Sequence, residues 1–165
     1  MITTIGIDLG MRKVDIVDID RGFFLHHEVP RSERTVELSL IGRYLRSLEA
    51  DGLLEGTKWV EAPVVAGARN IQSTIAIAQT SGVVHTSLSD THQVAVASWK
   101  QRTVGKGNAD KQAVKQWLAD NYPELYRYCG SQDLIDACCI ALYGRAQHDA
   151  ISISGLLPAL PSTPG

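Results

Sequence analysis

The chain has 165 residues, 44% of them hydrophobic and 21% charged, and carries a formal charge of −2. That suffices for one globular domain with a sizeable core, and no apolar run approaches the ~18–20 residues of a membrane span. The opening MITTIGID lacks a signal peptide's basic end, so the expectation is a cytoplasmic protein with no membrane partner. The three cysteines have no metal-ligand spacing, and the adjacent Cys138 and Cys139 would point about 100° apart on a helix, as free thiols of a reducing compartment. The overall acidity offers nucleic acid no chain-wide attraction, so any such partner must meet a local basic patch.

In chain order, TTIGIDLG is a short strand that stops at a turn, and KVDIVDID and GFFLHHEVP follow as strands with Arg21-Gly22 at their corner. Ser32 is placed to cap a helix from about Glu33 to Ala50, with Ile41, Tyr44, Leu45 and Leu48 on one face. TKWVEAP reads as a strand closed by Pro63, and Ile71, Ile75, Ala78 and Gly82 recur at helical spacing. HQVAVASW reads as a further strand. Asn108 is placed to cap a helix presenting Val114, Trp117 and Leu118, and Ser131 to cap the last one. Residues 1–150 form one domain in this reading, and the proline-rich 151–165 form a tail. Strands followed by alternating helices and strands suggest an α/β layered domain.

The last helix raises the functional question. DLIDACCIAL is apolar nearly all round, yet Asp133 and Asp136 lie three apart and share a face. A negative charge in the first turn of a helix suits Asp133. Asp136, flanked by Ile135 and Ala137, would be costly without a cation. Asp8 and Glu61, each at the end of a strand, are where α/β sheets gather their chemistry. Brought together, such carboxylates repel by about 4 kcal/mol per pair at ~4 Å and an effective dielectric near 20. Divalent ions turn that repulsion into attraction, and hard oxygen ligands suit magnesium or manganese. Between Trp99 and Trp117 five cations, Lys100, Arg102, Lys106, Lys111 and Lys115, face the single carboxylate Asp110. Such a segment suits phosphate contacts, which supply salt-dependent affinity and little sequence information. Asp15, Asp18 and Asp20 read as the polar side and turn of a strand, and His26 and His27 face opposite ways. Asp90 and His92, in a polar loop, are within possible reach of the carboxylates.

The segments IGIDLGMR, VEAP, ARNIQSTIAIAQTSGVV, KQRTVGKGNADKQAV and DLIDACCIAL, in this order, resemble the RuvC family of Holliday-junction resolvases. The resemblance spans roughly residues 3–145. It implies the RNase H-like fold, an α/β domain with a central mixed five-stranded sheet flanked by helices. It also implies a homodimer on branched DNA, with the Ile71 to Gly82 helix at the dimer contact. Asp8, Glu61, Asp133 and Asp136 match the family's catalytic carboxylates, which would hold two magnesium ions, with manganese as substitute. Lys100 and Lys111 match its functional lysines, the second close to the reacting phosphate. Arg69, Lys100, Arg102, Lys106, Lys111 and Lys115 form the implied DNA-contacting set. The activity implied is a crossover junction endodeoxyribonuclease leaving 5′-phosphate ends.

Two departures bear on this. Asp-Leu-Gly-Met-Arg stands where the family more often has Asp-Pro-Gly-Ser-Arg, a change harmless to chemistry. Val64 lies near where bacterial members place an aromatic that stacks on an unpaired base, so a broader branched-DNA nuclease, as in phage-encoded relatives working in a bacterial host's cytoplasm, is an alternative. An RNA–DNA hybrid nuclease and a non-catalytic junction-binding module of the same fold are others, and no feature identifies a branch-migration partner. IGIDLG also resembles the first phosphate loop of actin-like ATPases. That reading lacks a second glycine-rich segment here.

Overall fold

The computed structural model describes residues 3–64 and 71–154, with side chains up to residue 150. Strands β1 (Thr4–Leu9), β2 (Lys13–Asp18) and β3 (Phe23–Glu28) come first, then helix α1 (Arg34–Ala50), strand β4 (Thr57–Glu61) and helix α2 (Ile71–Ser87). Strand β5 (Thr91–Val94) and helices α3 (Val96–Thr103), α4 (Lys111–Asn121), α5 (Pro123–Tyr126) and α6 (Gln132–Ser154) complete the chain. The sheet order is β3-β2-β1-β4-β5. β1 is antiparallel to β2 and parallel to β4, and β5 is parallel to β4. The sheet is therefore mixed, five-stranded and covered on both faces, as the RNase H-like reading expects.

Period-2 patterning sorts the side chains between two cores. Ile5, Ile7, Val14, Ile16 and Val60 face Ile41, Leu45 and Leu48 of α1 and Val84 of α2. On the other face Val17, Val94 and Trp99 pack with Val114 and Leu118 of α4 and the apolar surface of α6, including Ile135, Cys138, Cys139 and Ile140. Full burial of each large aliphatic side chain contributes roughly 1.5–3 kcal/mol, so α6 is held chiefly by its own greasiness. One contact fixes its height over the sheet. Gly6 lies so close beneath α6 that a Cβ there would stand 2.0 Å from the Ala137 carbonyl oxygen and 2.5 Å from the Ala141 nitrogen.

Some boundaries differ from the sequence reading. HQVAVASW is not one strand. β5 stops at Val94 opposite Glu61, where β4 ends and pairing has no further partner, and the chain turns through Ala95 into α3, burying Trp99 completely. Asn108 does not cap α4. Asp110 does, its carboxylate accepting from Ala113 N at 2.8 Å. Ser32 does not cap α1. Glu33 is the cap residue without a side-chain bond, and Glu37 reaches back instead to accept from Ser32 N at 3.0 Å. Ser131 does cap α6, its hydroxyl accepting from Leu134 N at 3.2 Å. That helix runs on to Ser154, four residues into the stretch read as tail. Among the described residues no helix is long and apolar enough to cross a membrane.

Candidate active site

The parallel pairing of β1 with β4 matches Ile7 with Val60, so Asp8 and Glu61 come next in register at the same end of adjacent central strands. The alternation that sends Ile7 and Val60 into the α1 core turns both carboxylates toward α6. Helix α6 descends on that face from its capped start, bringing Asp133 and Asp136 with it. The turn that follows Asp8 is pinned from the other side: Arg34 donates to the Met11 and Ala76 carbonyls and, at 2.8 Å, to Thr80 Oγ1.

The electrostatics register the convergence. Asp8 is 7% exposed. Burial first, then the charges of Glu61, Asp136, Asp133 and Asp15, push its carboxyl well above the usual carboxylate range. Burial also raises Glu61, against the 2.9 Å hydrogen bond it accepts from Trp99 Nε1. Asp136 is raised by burial too, opposed by a 2.9 Å bond from Gln132 Nε2 and by the charges of Lys100 and Lys111.

Of the basic residues expected to contact DNA, Lys100 and Lys111 thus act on the carboxylates. Lys100 is half-buried, its ammonium donating to the Ala109 carbonyl at 2.7 Å and lying over the Trp99 ring. It ties the end of α3 to the approach of α4 and faces Glu61 and Asp136 with its charge. Lys111, at the start of α4, stays exposed.

Four residues of this neighbourhood were not singled out as site residues by the sequence. Trp99 orients Glu61. Lys13, at the start of β2, pairs with Asp133. Asp15 is fully buried directly across from Asp8 in the β1–β2 register, not on a solvent-facing polar side as expected. His26, Asp15's partner on β3, places Nδ1 2.7 Å from Asp15 Oδ1. The signal for Asp15 was present: the short turn after Leu9 pairs Leu9 with Val14 and hence Asp8 with Asp15. Asp18 is buried as well, but serves the turn, accepting from the backbone of Asp20 and Arg21.

As the side chains stand, no three of the described histidines, cysteines and carboxylates are disposed as a finished metal cage. The donor set nevertheless suits divalent ions. Four carboxylates supply hard oxygens, the most buried of them is destabilised by the others' charges, and an ammonium already neutralises part of the cluster.

No protein-family model matches the chain, and no curated protein does. Solved structures do. Thermus thermophilus RuvC in complex with a Holliday-junction substrate matches with a TM-score of 0.70 at 14% identity, covering 92% of this chain and 97% of that one. A second Thermus thermophilus RuvC structure matches with a TM-score of 0.68 at the same identity and coverage. The fold is that of RuvC. On this RuvC-like scaffold the other sequence candidates scatter. Arg102, Lys106 and Lys115 are exposed on α3, the following loop and α4. Arg69 lies outside the described residues. Asp90 and His92 do not approach the carboxylates: Lys58 pairs with Thr91 and Glu61 with Val94, so they sit toward the opposite end of β4 and β5, where Asp90 accepts from Thr57 Oγ1 at 2.8 Å.

Proposed function

We propose that the chain is a structure-selective endodeoxyribonuclease of the resolvase type, cutting four-way and related branched DNA by divalent-metal-dependent phosphodiester hydrolysis. The observation that carries this reading is the convergence of Asp8, Glu61, Asp133 and Asp136 at one end of the sheet, with Lys100 and Lys111 alongside. That the RuvC of similar fold was solved with a Holliday-junction substrate supports branched DNA as the substrate class.

Asp8, Glu61, Asp133 and Asp136 would hold two magnesium ions, with manganese able to replace them. Bound there, such ions supply Lewis-acid charge to the scissile phosphate and lower the pKa of water for in-line attack. The protein's part is positioning. Burial fixes Asp8, and the Trp99 indole fixes Glu61. Gly6 sets the height at which α6 carries its aspartates. Lys111, exposed beside Asp136, is the group that meets the phosphate, and Arg102, Lys106 and Lys115 extend the contact along the backbone of the DNA. The products carry 5′-phosphate and 3′-hydroxyl ends.

The same reading takes the protein as a homodimer acting on both strands of a junction. The Ile71, Ile75, Ala78, Gly82 stripe supports it, since it faces solvent with both isoleucines more than half exposed, an unusual surface unless something covers it. Val64, 53% exposed, offers a base no aromatic face, which favours structure selection over sequence selection and leaves flaps, forks and RNA–DNA hybrids as competing substrates.

The test is cleavage in magnesium of a labelled four-way junction beside linear duplex, a flap and an RNA–DNA hybrid, with Asp136→Asn in parallel. Symmetric paired cuts in the junction, lost in the variant, are expected. Cutting spread equally over flaps would recast the protein as a general debranching nuclease, and tight junction binding without cleavage would remove the enzymatic reading.

A further inference from the structure

Lys13 and Asp15 are left over from this account. Both project from β2 onto the face that carries Asp8, and Asp15 lies opposite Asp8 in the register. The Lys13 stem is laid deliberately across the turn. A Cβ on Gly10 would stand 2.5 Å from Lys13 Cγ and 2.9 Å from its Cε, so a bare residue there is what lets the side chain run inward. Its ammonium ends on Asp133, with Asp15 Oδ2 3.9 Å away. Burial opposes that charge, but the bond to Asp133, and then the charges of Asp133, Asp15 and Asp8, outweigh it.

Asp15 is the odder member. It is fully buried, and His26 meets only one of its oxygens. The other, Oδ2, has no hydrogen-bond partner. An unsatisfied buried carboxylate oxygen costs more than most single contacts return. Among the described residues its ion pairs run to Lys13 and His26, and Lys13 is the one that lies just beyond bonding distance of the open oxygen.

We propose that Lys13 is an exchangeable resident cation: it pairs with Asp133 in the metal-free protein and crosses to Asp15 Oδ2 when a divalent ion takes Asp133. The proposal rests on the reading that the four carboxylates hold such ions. Lys13 keeps the carboxylates assembled before metal arrives, and Asp15, steadied by His26, receives the displaced ammonium. Metal uptake is then a competition with an internal cation, and Lys13 lowers the affinity it helps to prepare.

The experiment is calorimetric titration of the full chain with Mn²⁺, without DNA, for wild type, Lys13→Met, Asp15→Asn and the double variant. Lys13→Met is expected to bind Mn²⁺ more tightly, on the order of tenfold for removing a unit charge from beside a divalent ion. Asp15→Asn is expected to weaken binding in the wild-type background and to have little effect once Lys13 is gone. If Asp15→Asn costs the same in both backgrounds, Asp15 acts only as a distant negative charge and the exchange is overturned. Uptake unchanged or weakened by Lys13→Met overturns it as well. Should Lys13→Met fail to fold without metal, Gly10→Ala keeps every charge while pushing the Lys13 stem aside, and is expected to tighten Mn²⁺ binding in the same direction. A wild-type protein that takes up no Mn²⁺ would overturn the metal reading together with the exchange.

Discussion

Replacing Gly6 by alanine probes the contact that joins fold to chemistry. The added methyl would sit 2.0 Å from the Ala137 carbonyl oxygen. Restoring ordinary contact requires the helix and strand to separate by about 1.4 Å. Neither side can yield by a rotamer change, because both obstructing atoms are main chain within regular elements. Overpacking of this kind costs about 1–3 kcal/mol, and the upper end applies here, a large fraction of the ~5–15 kcal/mol that holds a typical domain together. Ala137 adjoins Asp136, so any separation also moves Asp133 and Asp136 away from Asp8. A misplacement of ~1 Å in a reacting constellation costs about a hundredfold in rate. Urea unfolding followed by circular dichroism would read the first effect. Junction cleavage in excess magnesium, under conditions where the variant is folded, would read the second. A Gly6→Ala protein with wild-type midpoint and wild-type cleavage would refute the description of α6 as seated directly on the β1 backbone.

Trp99→Phe keeps the apolar bulk but removes the indole donor to Glu61. Hydrogen bonds to charged groups contribute about 1.5–3 kcal/mol, so the urea midpoint should fall. Because that bond holds the Glu61 carboxyl down against burial, the acid limb of the cleavage–pH profile should move to higher pH, and an unmoved limb would count against the contact. For Asp8 the folded-state carboxyl is raised above its ordinary value of 3.8, so between those two values the folded protein holds a proton that the unfolded chain has lost. Wild type in chelator therefore loses stability as pH rises through that window, while Asp8→Asn does not. The variant's advantage in unfolding midpoint should widen with pH, and a constant or shrinking gap would contradict the burial of the charge. Ile75→Asp, in the middle of the exposed α2 stripe, should shift the sedimentation coefficient from dimer to monomer while leaving the circular dichroism spectrum intact. A wild type that sediments as a monomer at all accessible concentrations would remove the dimer instead.

Much of this architecture can be read in the residues themselves. The alternation in TTIGIDLG and KVDIVD and the apolar girth of DLIDACCIAL point to covered strands and a covered helix, and Asp136 betrays itself by being charged within such a helix. What escapes is everything decided by pairing partners. HQVAVASW has a strand's alternation throughout, but a strand needs a neighbour, and β4 stops supplying one at Glu61. Asp15 looks like the polar half of a half-exposed strand. Only the presence of α6 over that face makes it interior, and only the register places it beside Asp8. Trp99 is fully buried. That its nitrogen is aimed at Glu61 depends on how tightly α3 follows β5, a matter of chain geometry that no local pattern carries.

Asp8 of β1 and Asp133 and Asp136 of α6 stand far apart in the amino-acid sequence. Closing a loop of that length is among the costliest contacts entropically, and non-local pairings form late relative to hairpins and helices. The β1–β2–β3 hairpins can pair through contacts local in the chain. The site cannot: until α6 has emerged and settled onto Gly6, Asp8 has neither Asp133 nor Asp136 beside it. Reactive machinery in this fold is thus a product of completed folding. An incomplete or misassembled chain would hold half a cluster, and under the proposed nuclease reading a nascent one would be harmless to the nucleic acid around it.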